Sequence, residues 1–225
     1  MIRLNIVVEG QTEERFAKTV LAPYLSEYDV FVAPRCVLTS KDGPTFFRGG
    51  MTRYSRARKD IANWIKQESS HSEVWFSTMF DLYALPMDFP GFDESRKKAD
   101  PYGRVAVLET ALACDIDCYR FVPYIQLHEF EALILADPSK LNHQFLEHDR
   151  SIDNLVRLAV DRNPELIDDG PQTAPSKRII EEIPEYEDRK ASAGPIVAEK
   201  IGLPALRERC RHFDQWISRL EALAQ

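Results

Sequence analysis

The run Leu4-Asn5-Ile6-Val7-Val8 stops on Glu9-Gly10, and two residues later Thr12-Glu13-Glu14 opens a helical pattern. β-Branched residues in a short apolar run bounded by a turn signal specify a buried strand, and a Thr followed by acids specifies a helix start. The unit is strand, sharp turn, helix, with a carboxylate at the strand's C-terminal tip. In α/β proteins that tip is where ligands bind, because the loops leaving the strands converge there. The decisive question is whether other strands carry acids to the same edge.

The spacing of Phe16, Val20, Leu21, Tyr24 and Leu25 continues the helix for three to four turns. Val30 to Leu38 reads as a second strand, with Pro34 marking an edge or a bulge. Lys41 to Gly50 is rich in glycine and charge and reads as an exposed loop. Ala57, Ile61, Trp64 and Ile65 mark a second amphipathic helix, whose start carries Arg53, Arg56, Arg58 and Lys59. Glu73 to Phe80 is a third strand, apolar enough to be central, and it ends on Asp81. The prolines and aromatics of Leu82 to Phe92 specify an ordered loop packed by its own side chains. After a helix around Val105, Leu108 and Leu112, Tyr119 to Gln126 reads as a fourth strand, running into a helix over Leu127-His128-Glu129-Phe130-Glu131-Ala132-Leu133-Ile134-Leu135.

From residue 137 the pattern is helical and poor in strands, with a Pro, Gly and Asp-rich loop from Asn163 to Lys177 and one terminal helix through Leu206, Cys210, Phe213, Trp216, Ile217, Leu220 and Leu223. The expected organisation is an α/β core over 1–136, a mainly parallel four-stranded sheet flanked by helices, and a helical extension over 137–225 packed on it. At 225 residues the chain is long enough to bury a proper core.

Parallel strands joined by right-handed crossovers end on one edge. Glu9, Asp81 and the pair Glu129 and Glu131 therefore meet there although they are far apart in sequence. Taken singly, each serves equally well as a first-turn acid or a cap. Together they describe gathered carboxylates, which stay ionised most easily around a hard cation with oxygen ligands, Mg²⁺ or Mn²⁺. Residues three apart share a helix face, so His128 and Glu131 are expected to point together. Glu13 and Glu14 are expected to serve the helix dipole and solvent.

Composition narrows the setting. No apolar run reaches membrane-spanning length and no basic-then-apolar leader precedes the first strand, so a cytoplasmic protein without a membrane partner is expected. Cys36, Cys114, Cys118 and Cys210 lack zinc-site spacing and are expected to be reduced, mostly buried thiols. A net charge of -7 opposes wrapping of nucleic acid by general electrostatics, while leaving room for a basic patch beside an acidic site.

The segments Val8-Glu9-Gly10-Gln11-Thr12-Glu13, Phe80-Asp81-Leu82-Tyr83 and Gln126 to Leu133, with Pro175-Ser176-Lys177-Arg178 and the terminal helix, together resemble an uncharacterised prokaryotic Toprim-like family. The resemblance implies a Toprim-like fold, a partner ATPase of the ABC or AAA type encoded nearby, and a part in defence against phage or plasmids. It implies Mg²⁺-dependent phosphodiester chemistry on DNA or RNA, with Glu9 as the strand-tip glutamate and Asp81 as the first aspartate of an Asp-x-Asp pair. Tyr83 stands where that pair's second acid belongs, and Asp88, Glu129 or Glu131 is expected to compensate.

The catalytic candidates are accordingly Glu9, Asp81 and Glu131, with Glu129 as a further metal ligand. His128, Lys177, Arg178 and Lys190 are the candidates for substrate contact and charge neutralisation. The alternative is a weakened module that docks on or regulates the ATPase without cleaving nucleic acid.

Overall fold

The computed structural model describes residues 1–42, 45–48, 51–68, 70–167 and 173–225, the side chains of 38–42 and 45–48 excepted. In chain order these form β1 (Ile2–Val8), α1 (Gln11–Phe16), a π turn (Ala17–Leu21) leading into α2 (Ala22–Ser26), β2 (Val30–Cys36), β3 (Leu38–Asp42), β4 (Thr45–Arg48), α3 (Tyr54–Gln67), β5 (Val74–Asp81), α4 (Phe92–Ser95) and α5 (Pro101–Ile116). There follow β6 (Phe121–Val122), β7 (Ile125–Gln126), α6 (Glu131–Ile134), α7 (Asp149–Ala159), α8 (Pro175–Glu182), α9 (Tyr186–Ile201), α10 (Leu203–Arg209) and α11 (Arg211–Glu221).

The main sheet is parallel throughout, in the order β2, β1, β5, then β6 and β7 in line along the far side of β5. The expected fourth strand is thus two short ones, because Pro123 brings no N–H to the ladder and residues 123–124 stand between them. β2 is the opposite edge strand and carries Pro34.

Alternation along the strands sends side chains to two cores. Leu4, Ile6, Val8 and Met79 face a core completed by Phe16, Leu21, Val197, Phe213 and Leu220. Val7, Phe76, Phe80 and Ile125 face the other, with Ala57, Ile61, Leu108 and Leu112. The architecture is helix, sheet, helix, and the helices after residue 137 complete the first of these layers.

Five local expectations are corrected. Residues 41–42 and 45–48, read as part of a loop, join 38–40 in an antiparallel hairpin, while 43, 44, 49 and 50 lie outside the described residues. The helix expected over 127–135 is one turn, Glu131–Ile134, because His128 adopts a left-handed backbone, φ 61°, which no α-helix continues through. The terminal helix is two, broken at Cys210, whose φ of -118° and ψ of 91° are extended. Buried Glu165 draws this break: its carboxylate accepts from the backbone N–H groups of His212 and Phe213, both at 3.0 Å, and so caps α11 from outside. Helix α1 begins at Gln11 with Gly10 as its cap residue, not at Thr12. The Pro, Gly and Asp-rich stretch from Asn163 gives a 3₁₀ turn, Pro164–Leu166, and α8 opens at Pro175, with 168–172 outside the described residues.

Candidate functional site

Every strand of the main sheet ends on the same edge, and the acids arrive by three routes. Glu9 follows β1, Asp81 closes β5, and Glu129 and Glu131 follow β7. The backbone N–H of Asp81 donates to Glu9 Oε2 at 3.2 Å, so the ends of β1 and β5 are tied together by one of the acids. Glu131, in the single turn of α6, is buried and accepts from the Tyr186 hydroxyl of α9 at 3.2 Å. Glu129 lies in the turn before α6, and its Oε1 accepts from both the N–H and the hydroxyl of Ser176, at 3.3 and 3.0 Å. The helical spacing expected to pair His128 with Glu131 therefore does not apply.

A fifth acid joins them. Glu13, read as a dipole and solvent residue, is buried, and its Oε2 accepts from the Gly10 N–H at 2.8 Å. A Cβ on Gly10 would stand 3.2 Å from that oxygen, so glycine here provides room for the carboxylate to reach back. The Gly10-x-x-Glu13 spacing carried this signal, as the reach of an acid three residues into a helix onto its cap. Ser176 was within reach as well, in the Pro175 to Arg178 segment. Tyr186 was not, because nothing local relates it to Glu131.

The carboxylates raise one another. Burial comes first for Asp81, which is pushed well above the carboxylate range, followed by the fields of Glu13, Glu9, Glu131 and Glu129. Burial lifts Glu9 to about 7 against hydrogen bonds from the Asp81 and Met51 backbones. Glu13 rises to about 7 through burial, aided by Glu9. Glu131 rises to about 7 through burial and Glu129, with Lys190 opposing. Near neutral pH the group holds several protons, the response expected of like charges brought together without a counter-ion.

The other candidates are placed differently. His128 is buried and pushed down to about 4 by burial, against the pull of the nearby Glu165 backbone carbonyl, so it is neutral at pH 7. Tyr83, in the position of the missing acid, is 40% exposed; its ring leans on His128 at 5.4 Å and its N–H bonds the His128 carbonyl. Lys190 on α9 acts on Glu131, whereas Lys177 projects from α8 into solvent and Arg178 beside it is half-buried. Asp88 accepts from the Tyr54 N–H at the start of α3. In the basic cluster of that helix, Arg58 is paired with Asp115 at 2.7 Å.

The donor set suits a hard divalent cation in its chemistry, being all carboxylate oxygen. Asp81 Oδ1 adds a sharper indication, since it is buried and makes no hydrogen bond among the described residues. Among those residues, however, no three of His, Cys, Asp or Glu stand close enough to hold an ion as arranged. The acids share one strand edge without closing on a common point.

A parallel sheet between helical layers, with buried acids at its strand tips, defines an α/β module built to hold charge at one edge. Beyond this class, the chain belongs to the family described as "Domain of unknown function (DUF4276)", which matches residues 8–221. No curated protein matches it. Among solved structures it is similar to the C-terminal region of the Burkholderia pseudomallei OLD protein, at 13% identity over 99% of this chain and 98% of that one, with a TM-score of 0.48. It is also similar to the C-terminal region of the Xanthomonas campestris pv. campestris OLD protein, at 13% identity over 97% of this chain and 95% of that one, with a TM-score of 0.42. No helix among the described residues is long and apolar enough to cross a membrane.

Proposed function

We propose that the chain is a Mg²⁺- or Mn²⁺-dependent phosphoryl-transfer module, a nuclease acting on DNA or RNA, with its site at the strand tips. The observation that carries this reading is half-buried Asp81, whose buried Oδ1 makes no hydrogen bond among the described residues and lies in the field of four other acids. Such an arrangement costs stability unless a cation neutralises it, and it is retained where charge handling is the function. Glu9, Asp81 and Glu131 would hold the metal, with Glu129 as a further ligand. A bound divalent ion supplies Lewis-acid polarisation of a phosphate and a more acidic water.

The chain's own residues supply the rest. Glu9, raised to about 7, is suited to accept a proton near neutral pH. Tyr186 and Ser176 orient Glu131 and Glu129 through their hydrogen bonds. Lys190 is the nearest candidate to offset developing negative charge, and His128, Lys177 and Arg178 are the remaining candidates for substrate contact. The defence setting and the partner ATPase belong to this reading through the motif resemblance. Purified protein, with and without the ATPase encoded beside it, is incubated with DNA and RNA in Mg²⁺ or Mn²⁺. Cleavage lost in both Glu9→Gln and Asp81→Asn is expected; no cleavage in any combination rejects the reading.

A second reading is favoured by Tyr83 in place of an acid and by the spacing of the carboxylates, which close on no common point. In it the module docks on the ATPase and regulates it without chemistry. Calorimetric titration with Mn²⁺ separates the two, because a docking module needs no metal affinity and Glu9→Ala would change nothing.

A further inference from the structure

Away from the acidic edge, a second pair of titratable groups meets at the open side of the sheet. Glu109 of α5 and His212 of α11 come from opposite helical layers, and Glu109 Oε1 lies 2.9 Å from His212 Nε2. Both side chains are only 12–13% exposed. The same Glu109 oxygen accepts from the Ile125 N–H at 2.8 Å, and the Ile125 carbonyl lies beside the imidazole.

The place of these bonds gives them meaning. β6 and β7 pair only with β5 among the described strands. In a parallel ladder a residue's N–H and C=O point to the same side, and successive residues alternate. Phe80 N–H donates to the Tyr124 carbonyl, so Ile125 turns both its groups away from β5, onto the bare edge. Glu109 occupies that edge as a neighbouring strand would, accepting from the Ile125 N–H, and His212 holds the same Glu109 oxygen in place. Directly downstream of Ile125 and Gln126 runs the turn 127–131 that carries Glu129 and Glu131, and Gln126 is in register with Asp81.

We propose that Glu109 and His212 are positioning residues that close the edge of β7 and hold the turn bearing Glu129 and Glu131 in register with Asp81. The proposal rests on the reading of those glutamates as site acids given above.

The pair faces a groove of about 380 Å³ between α5 and α11, so protons reach it from solvent. The charged and titratable groups around His212 are Glu109 and Tyr102 from α5, Asp100 at the cap of that helix, Tyr124 stacked on the ring, Glu165 from the 3₁₀ turn, and Arg211 on its own helix. A ring 2.9 Å from the Glu109 carboxylate and beside the Ile125 carbonyl is favoured as an imidazolium. In agreement, its pKa is raised despite burial, by the Glu109 hydrogen bond and charge and by Glu165. A group raised in the fold contributes fully below the ordinary histidine value of about 6.5 and loses its contribution as pH climbs through the raised value. The latch is therefore closed in mild acid and loosens in mild alkali.

Hydrogen exchange on the full chain without metal, corrected for intrinsic rates, tests this at pH 6 and pH 8.5. Amides of 125–131 are expected to lose roughly tenfold more protection than β1 amides at the higher pH, the worth of about one charged hydrogen bond. Glu109→Gln keeps an acceptor for Ile125 but removes the charge, and is expected to exchange fast in 125–131 at both pH values. Should that variant not fold, the wild-type pH pair and an NMR titration of His212 decide the matter. Protection of 125–131 independent of pH, or a normally titrating His212, overturns the proposal.

Mn²⁺ titration followed by EPR then links the latch to the acids, with affinity expected to fall about tenfold in Glu109→Gln. Unchanged affinity alongside faster exchange overturns the positioning of the acids. If the wild-type protein binds no Mn²⁺, the proposed function fails, and the exchange experiment still judges the latch.

Discussion

Glu13 shows how a residue's neighbours alter its meaning. In sequence it is a first-turn acid; in the fold it caps Gly10 and raises Asp81 more than any other acid does. Glu9, Glu13 and Glu131 each keep a proton up to about pH 7, whereas an unfolded chain releases it near 4.3. Between these values the unfolded state binds fewer protons than the folded one, so metal-free stability falls as pH rises from about 4.3 to about 7. Thermal melts across that range in EDTA are expected to show the decline. Asp81→Asn removes an acid raised well above its ordinary value by burial and by its neighbours' fields, and it is expected to raise the melting temperature of the metal-free protein at pH 8. A variant less stable than wild type at pH 8 would contradict that account.

At the scale of elements, the site depends on how closely α9 approaches α1. Gly194 makes this possible: a Cβ there would stand 3.2 Å from the Tyr186 hydroxyl, 3.3 Å from Phe130 and 3.5 Å from Thr12. Gly194→Val forces the helices apart at the residues that orient Glu131, and is expected to cost about 1–3 kcal/mol in urea denaturation. Glu165 holds a second junction. Its buried carboxylate accepts from Tyr102 at 2.8 Å and from two α11 amides, so Glu165→Ala leaves donors unpaired. A loss of roughly 3 kcal/mol is expected from the same measurement.

At the scale of the whole molecule, the helices after residue 137 share a core with the sheet. Phe213, Trp216 and Leu220 pack in one cluster with Leu4, Ile6 and Val8, and Trp216 Nε1 donates to Ser77 Oγ of β5 at 2.9 Å. Tyr124 is stacked between the Trp216 and His212 rings, 4.1 and 5.2 Å away. A chain ending at residue 136 uncovers that face of the sheet and is expected to melt without a cooperative transition by calorimetry, where the full chain melts sharply.

Apolar run length, strand-tip acids and helical spacing were legible in the sequence because they depend on contacts within a few residues. They specified a parallel sheet, its flanking helices and the edge where Glu9 and Asp81 stand. The interrupted fourth strand was half legible, since Pro123 marks it but the split depends on pairing with β5. The single turn of α6 and the break at Cys210 were not legible, because long-range bonds set them: Tyr83 N–H to the His128 carbonyl, and Glu165 to the α11 amides. The chain by itself thus determined which acids reach the strand tips, starting from Glu9 and Gly10. Only the tertiary structure decided that Glu13 stands in the field of Asp81, that Tyr186 holds Glu131, and that burial keeps protons on the acids, for these depend on segments far apart in the chain, 55 residues in the case of Tyr186 and Glu131.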